Sequence, residues 1–171
     1  MLRRTFISLL LGFSVLTTAS AATVEVDWHE PSSYRDIRPA EEPQERFQNR
    51  VFEHLNAYFE TLAARLPESQ KLQITVTDLD LAGEVYPENI NNSLRMVRVV
   101  RSSDFPSITL SYKLTDANGT VLQEGEERLR GRDLPGQGRT SMRGTNTQQE
   151  ALAYERAMLD RWFRFRFEQN Q

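Results

Sequence analysis

The chain has 171 residues, 39% of them hydrophobic, a formal net charge of −3 and no cysteine. Without a thiol it forms no disulfide, carries no thiol-linked lipid and offers no cysteine ligand to a structural zinc. An acidic balance also argues against nucleic acid as a partner.

Met1-Leu2-Arg3-Arg4 is a positive start, and residues 6–16 are apolar and uncharged. Ala19 and Ala21 supply the small residues of an A-x-A cleavage site, so residues 1–21 read as a signal peptide cut after Ala21. The apolar run is about half of the roughly 20 residues that span a bilayer, and no later segment approaches that length, so no transmembrane segment is expected after cleavage. Arg3-Arg4-Thr5-Phe6-Ile7 also resembles a twin-arginine export motif. The mature chain shows no cofactor motif, and no cofactor is expected, which favours the ordinary secretory route. Residues 22–171 suit one domain. Their charge is uneven, with acids in excess over residues 22–94 and bases over residues 95–171. Pairing between the halves of one fold accounts for that more simply than a basic face.

Residues 23–28 alternate apolar and polar and predict a strand. Tyr34-Arg35-Asp36-Ile37-Arg38-Pro39 connects it to a helix over about residues 41–66. Glu41, Glu42 and Glu45 suit the start of that helix, and Pro43 is tolerated there. Phe47, Val51, Leu55, Tyr58, Leu62 and Leu66 form one helical stripe, which reads as core. Pro67 stops the helix. Strands follow over residues 71–77, 94–101 and 107–115. Asp116-Ala117-Asn118-Gly119 turns into a return strand over 120–130. Asn91-Asn92-Ser93 and Asn118-Gly119-Thr120 also match glycosylation acceptors. Residues 131–147, rich in glycine and without periodicity, predict a flexible loop. A second helix is expected over 148–165, with Leu152, Glu155, Leu159, Trp162 and Arg166 on one flank. Together these elements predict an α+β fold in two layers. A mainly antiparallel sheet of about five strands carries two long helices on one face, and the first strand, helix and second strand can form a parallel unit.

Asp78-Leu79-Asp80-Leu81-Ala82-Gly83-Glu84 is the segment most suggestive of chemistry. Asp78 and Asp80 share one side of a strand, and with Glu84 they could hold a hard cation such as Ca²⁺ or Mg²⁺. The spacing is not that of an EF-hand, since position 82 is alanine and position 89 is asparagine. Leu72, Ile74 and Val76 put the even positions in the core, so a regular strand would bury Asp78 and Asp80 at prohibitive cost. Three escapes stay open. The register flips by a bulge near Thr77, the strand leaves the core, or the acids meet arginines, Arg98 and Arg101 among them. Arg35, Asp36 and Arg38 form a second candidate cluster. Their two forked bases could clasp a carboxylate or phosphate, or Tyr34 and Ile37 could pin the segment while Asp36 forms an ion pair. His29 and His54 have no metal-ligand spacing, and no nucleophile elbow, P-loop or Rossmann glycine pattern is present. No catalytic residue or metal ligand is assigned. The aromatic and arginine-rich segment 161–167 fits either an anionic membrane surface or, more simply, a helix docking its aromatics on the sheet.

Several segments recur in a known order. They are Tyr34-x-Asp36-Ile37, Leu62-Ala63-Ala64-x-Leu66-Pro67, Val76-Thr77-Asp78-Leu79-Asp80-Leu81-Ala82-Gly83-Glu84 and Arg98-Val99-Val100-Arg101. Leu110-Ser111-Tyr112-x-Leu114-Thr115-Asp116-Ala117-x-Gly119, Gly125-Glu126-Glu127-x-Leu129-Arg130 and Tyr154-Glu155-x-x-x-Leu159-Asp160-x-Trp162-Phe163 follow. In this order the chain resembles the bacterial domain-of-unknown-function family 3016, exported proteins of Gram-negative bacteria. The resemblance implies a periplasmic location and brings no activity or catalytic residue. Gly131-Arg132-Asp133-Leu134-Pro135 departs from it, standing where the family has an aspartate and a short apolar run. The expectation is a soluble, non-enzymatic periplasmic module that binds an envelope protein or polymer. The alternative is a divalent-cation-binding protein or metal-dependent hydrolase centred on Asp78, Asp80 and Glu84.

Overall fold

The computed structural model describes residues 21–101, 103–131 and 152–168. The expected signal peptide and most of the expected 131–147 loop lie outside these residues. The elements in chain order are β1 (Thr23–Trp28), α1 (Gln44–Ala63), β2 (Lys71–Asp80), β3 (Glu84–Ile90), β4 (Ser93–Val99), β5 (Ser107–Thr115), β6 (Val121–Arg130) and α2 (Ala153–Phe163). A short 3-10 turn, Pro31–Ser33, follows β1, and a π turn, Arg164–Glu168, follows α2.

The fold is α+β, with two corrections to the expected layout. First, the main sheet has four strands in the order β1-β2-β5-β6 and is mixed: β1 runs parallel to β2, and the other pairs are antiparallel. A parallel neighbour needs a long crossover, and α1 supplies it. β3 and β4 form a separate two-stranded sheet, so the described residues hold six strands rather than five. Second, the helices are not both long: α1 has 20 residues and α2 has 11. α2 begins only after Leu152 and widens into the π turn, which returns Phe167 to the core.

β3 escaped the sequence reading because Pro87 sits at its centre, and proline usually demotes a strand. The hairpin tolerates it because β3 has only one neighbour, β4. Asn91 and Asn92 both have positive φ, 52° and 63°, as a two-residue hairpin turn with the twist of its strands requires. The asparagines act here as turn residues.

The core follows the predicted stripe of α1 except at one turn, where Phe59 is buried and Tyr58 only half-buried. Val51, Leu55, Phe59 and Leu62 are buried against Leu72, Ile74 and Val76 of β2 and Ile108, Leu110 and Leu114 of β5 within one cluster. α2 adds Met158, Leu159, Trp162 and Phe163. Trp162 and Phe167 meet the Tyr112 ring edge-on, at 5.7 and 5.4 Å between centroids. Gly125 lies opposite Tyr112, where a Cβ would stand 3.2 Å from that ring. The terminal aromatics therefore dock on the sheet. Only Phe165 among them faces solvent, which removes the basis for a membrane-binding aromatic face.

The β2 register shifts at Thr77. Val76 pairs with Leu110, but Asp78 pairs with Thr109. This bulge flips the parity of the strand. Leu72, Ile74 and Val76 face the core before it, and Leu79 and Leu81 face the core after it. Asp78 and Asp80 turn outward. The edge partner of β2 changes at the same point. β1 ends with the His29 N–H donating to the Val76 carbonyl at 2.9 Å. Beyond the bulge, the segment around Asp36 takes over: its N–H donates to Leu79 O and its carbonyl accepts from Leu81 N–H, both at 3.2 Å. Tyr34 and Ile37 anchor this strap, as expected. Both are buried, and the Tyr34 hydroxyl donates to Val76 O at 2.8 Å.

Candidate functional site

Strap, bulge and hairpin converge on one cleft of about 410 Å³, lined by Arg35, Asp36, Arg38, Asp80, Glu84 and Val85. Five of the six residues singled out in the sequence line it. Asp78 does not, although it shares a partner with Asp80. The Arg35 guanidinium lies 3.2 Å from an Asp78 oxygen and 3.6 Å from an Asp80 oxygen. The Arg35 backbone N–H adds a 2.9 Å bond to Asp78. The bulge and the arginine pairing thus both occur, since turning the acids outward is what lets Arg35 reach them.

Asp36 faces the other way, towards the hairpin. Arg98 of β4 donates to Asp36 Oδ2 at 2.9 Å, to Gly83 O at 2.6 Å and to Arg38 O at 2.8 Å. The two charged side chains are only 17% and 19% exposed. This one guanidinium therefore ties strap, turn and hairpin together. Its planar fork donates from two separated nitrogens at once, which the single ammonium nitrogen of a lysine does not offer. The Arg38 N–H donates to Asp36 Oδ1 at 3.1 Å. Among the described residues no carboxylate pairs with the Arg38 guanidinium.

Glu84 stands apart from the aspartates. Its carboxylate accepts the Tyr86 hydroxyl at 2.5 Å. That hydroxyl in turn accepts from Arg101 at 3.1 Å, and the Arg101 guanidinium lies 4.3 Å from the Tyr86 ring centroid. The carboxylates suggested for a cation are thus each engaged with cationic or hydroxyl partners. Among the described residues no group of three His, Asp or Glu side chains is placed to hold a metal ion.

Asp80 lies partly buried beside two other aspartates. Burial pushes its carboxyl above the usual value, Arg35 opposes this, and Asp36 and Asp78 push it further up. Sequence reasoning also missed a partner of the cleft, Glu155 of α2. It is 2% exposed, and its Oε1 accepts the Ala82 N–H at 2.7 Å. The available signal was a glutamate on the apolar flank of a helix. Arg98 was foreseen as a partner for the aspartates, but it serves Asp36, while Arg35 serves Asp78 and Asp80.

Among the described residues no helix is long and apolar enough to cross a membrane. A search of curated proteins finds no match. Among solved structures the chain is similar to a minor lipoprotein from Acinetobacter baumannii, at 9% identity over 86% of this chain and 88% of that one. The TM-score is 0.28. Residues 22–165 match the family described as protein of unknown function, DUF3016. That stretch holds β1 to β6, both α-helices and the whole cleft, and the chain belongs to the DUF3016 family.

Proposed function

We propose that this protein is exported to the periplasm as residues 22–171 after cleavage near Ala21, and that it acts there as a soluble, non-enzymatic binding module for an envelope protein or polymer. The cleft beside the strap is its binding seat. One observation carries this reading: the acids of the cleft are tied to arginine and tyrosine partners, while Arg38 has no carboxylate partner among the described residues. A preorganised wall with a spare forked cation suits recognition of a carboxylate or phosphate group.

Mass analysis of the exported protein should give an N-terminus at Ala22. Photo-crosslinkers placed at Arg38 and Val85 should capture an envelope component, and one at Thr75 should not. A protein that stays partner-free at all three positions overturns the reading.

The rival reading is a divalent cation, with or without hydrolase activity, at Asp78, Asp80 and Glu84. It requires the ion to displace Arg35 from two aspartates and Tyr86 from Glu84. Calorimetric titration with Ca²⁺, Mg²⁺, Mn²⁺ and Zn²⁺ separates the two. Saturable binding that an Asp78→Asn/Asp80→Asn variant loses would favour the cation.

A further inference from the structure

Glu155 is a buried acid behind the cleft with only half of its hydrogen bonding satisfied. Oε1 holds the Ala82 N–H, and Oε2 has no hydrogen-bond partner. A carboxylate in that position costs far more than a neutral carboxyl. The charged groups that act on it are Arg98 of β4 and Asp80 of β2. Ala82 itself packs with Tyr154, Val100 and Phe105.

The turn that Glu155 grips has little room to move. Gly83 has φ 78°, and a Cβ there would stand 2.5 Å from Val99 O. Glu155 holds this turn at the Ala82 N–H, and Arg98 holds it at the Gly83 carbonyl. The same Arg98 guanidinium holds Asp36 and Arg38 O in the strap. One carboxyl and one guanidinium therefore share control of the corner where β2 turns into the hairpin.

We propose that Glu155 is a proton-operated latch on the cleft. Protonated, it leaves Arg98 on Asp36, Gly83 and Arg38; ionised, it draws Arg98 towards its unpaired oxygen and loosens the strap from β2. This inference deepens the reading of the cleft as a binding seat and rests on it for its biological sense. Burial pushes the Glu155 carboxyl upward, the Ala82 N–H and Arg98 oppose this, and Asp80 adds to it. The strap is therefore held more firmly in mild acid than in base.

The test is a nuclear magnetic resonance titration of the mature protein from about pH 4 to 9, a range that brackets ordinary and raised carboxyl values. The Glu155 carboxyl carbon and the Ala82 amide should titrate together, and the Gly83, Asp36 and Arg38 amides should shift with the same midpoint. The Asp80→Asn variant should keep this transition, whereas Glu155→Gln should lose it. An Ala82 amide that does not titrate overturns the latch, and so does one that titrates without Asp36 and Arg38. If Glu155→Gln does not fold, the wild-type carboxyl-carbon titration alone decides. These measurements need no partner, so their failure leaves the binding role standing. Loss of crosslinks at Arg38 and Val85 would conversely leave the latch standing.

Discussion

In the four-stranded sheet, β2 and β5 bury Leu72, Ile74, Val76, Leu79, Ile108, Leu110 and Leu114 in the core cluster shared with α1 and α2. The β3–β4 hairpin instead leaves Leu94 76% and Met96 39% exposed. A hairpin alone is marginally stable in water. This one is moored by polar contacts, chiefly the Arg98 bonds to Asp36, Gly83 and Arg38, with Arg95–Glu41 beyond them at 3.3 Å. The same residues line or brace the cleft. The region held by burial sets the fold, and the region held by directional charge sets the geometry of the cleft. Directional contacts can be adjusted by one proton or one ligand, which close-packed hydrocarbon cannot.

The contrast predicts different failures when each region is cut. Phe59→Ala removes a ring with no exposed surface from the centre of the core cluster. It should cost about 3–5 kcal/mol. Urea unfolding should show one cooperative transition at a lower midpoint, with every element affected. Arg98→Met keeps the aliphatic stem but leaves Asp36 and the Ala82, Gly83 and Arg38 carbonyls short of a donor. The pair is partly exposed, so the loss should be about 1–3 kcal/mol, below that of a fully buried pair. Hydrogen exchange should localise it: amides of residues 84–99 lose protection while those of β5 keep theirs. Equal loss across β5 would mean that hairpin and sheet unfold as one unit, and the distinction between them would fall.

The burial-held region was also the legible one. The α1 stripe, the alternation of β1 and β2, and the 107–130 hairpin all follow from periodicity, because burial is what periodicity records. The parity conflict at Asp78 and Asp80 was legible, since two unpaired acids in the core were physically inadmissible, but it left three escapes open, of which the fold uses two: the bulge at Thr77 and the pairing with an arginine. The charge-held region was read less well. Its contacts join residues 35–38 to residues 78–80 and 98, and no local pattern encodes such pairings. The Asp36–Arg98 pair, the strap beside β2 and the buried Glu155 depend on chain crossings that only the fold supplies. β3 was missed because Pro87 broke its pattern, although Asn91-Asn92 carried a turn signal. The mixed sheet was half visible, in that a parallel first unit was foreseen while the sheet as a whole was expected to be mainly antiparallel.

The pH dependence of stability separates the two regions further. Burial raises the Glu155 carboxyl in the folded state, so the folded protein holds that proton more tightly than the unfolded chain. Its contribution is complete below the ordinary carboxylate value and is lost as pH rises through the folded value. Asp80, also raised chiefly by burial, has the same sign. Asp116 works oppositely. The Thr120 and Asn118 N–H groups hold its carboxyl below the usual value, so its contribution is present above that value and lost as pH falls. Urea midpoints of the wild type should therefore decline from mild acid to base more steeply than those of Glu155→Gln. Identical slopes would remove Glu155 from the account.

Leu94→Ser should have the smallest effect of all. Leu94 faces Asn89 across the hairpin, on the side that also carries Met96 and Pro87, and it is the most exposed of the large apolar side chains described. Replacing it removes almost no buried area, so stability should change by no more than about 0.5 kcal/mol. The measurement bears on more than one residue. A loss above about 1 kcal/mol would require that Leu94 be covered in the folded protein in solution. The hairpin would then be held by burial as the main sheet is, and Arg98 would no longer be its chief mooring. A null effect beside a large Arg98→Met effect is the outcome that keeps the two regions physically distinct.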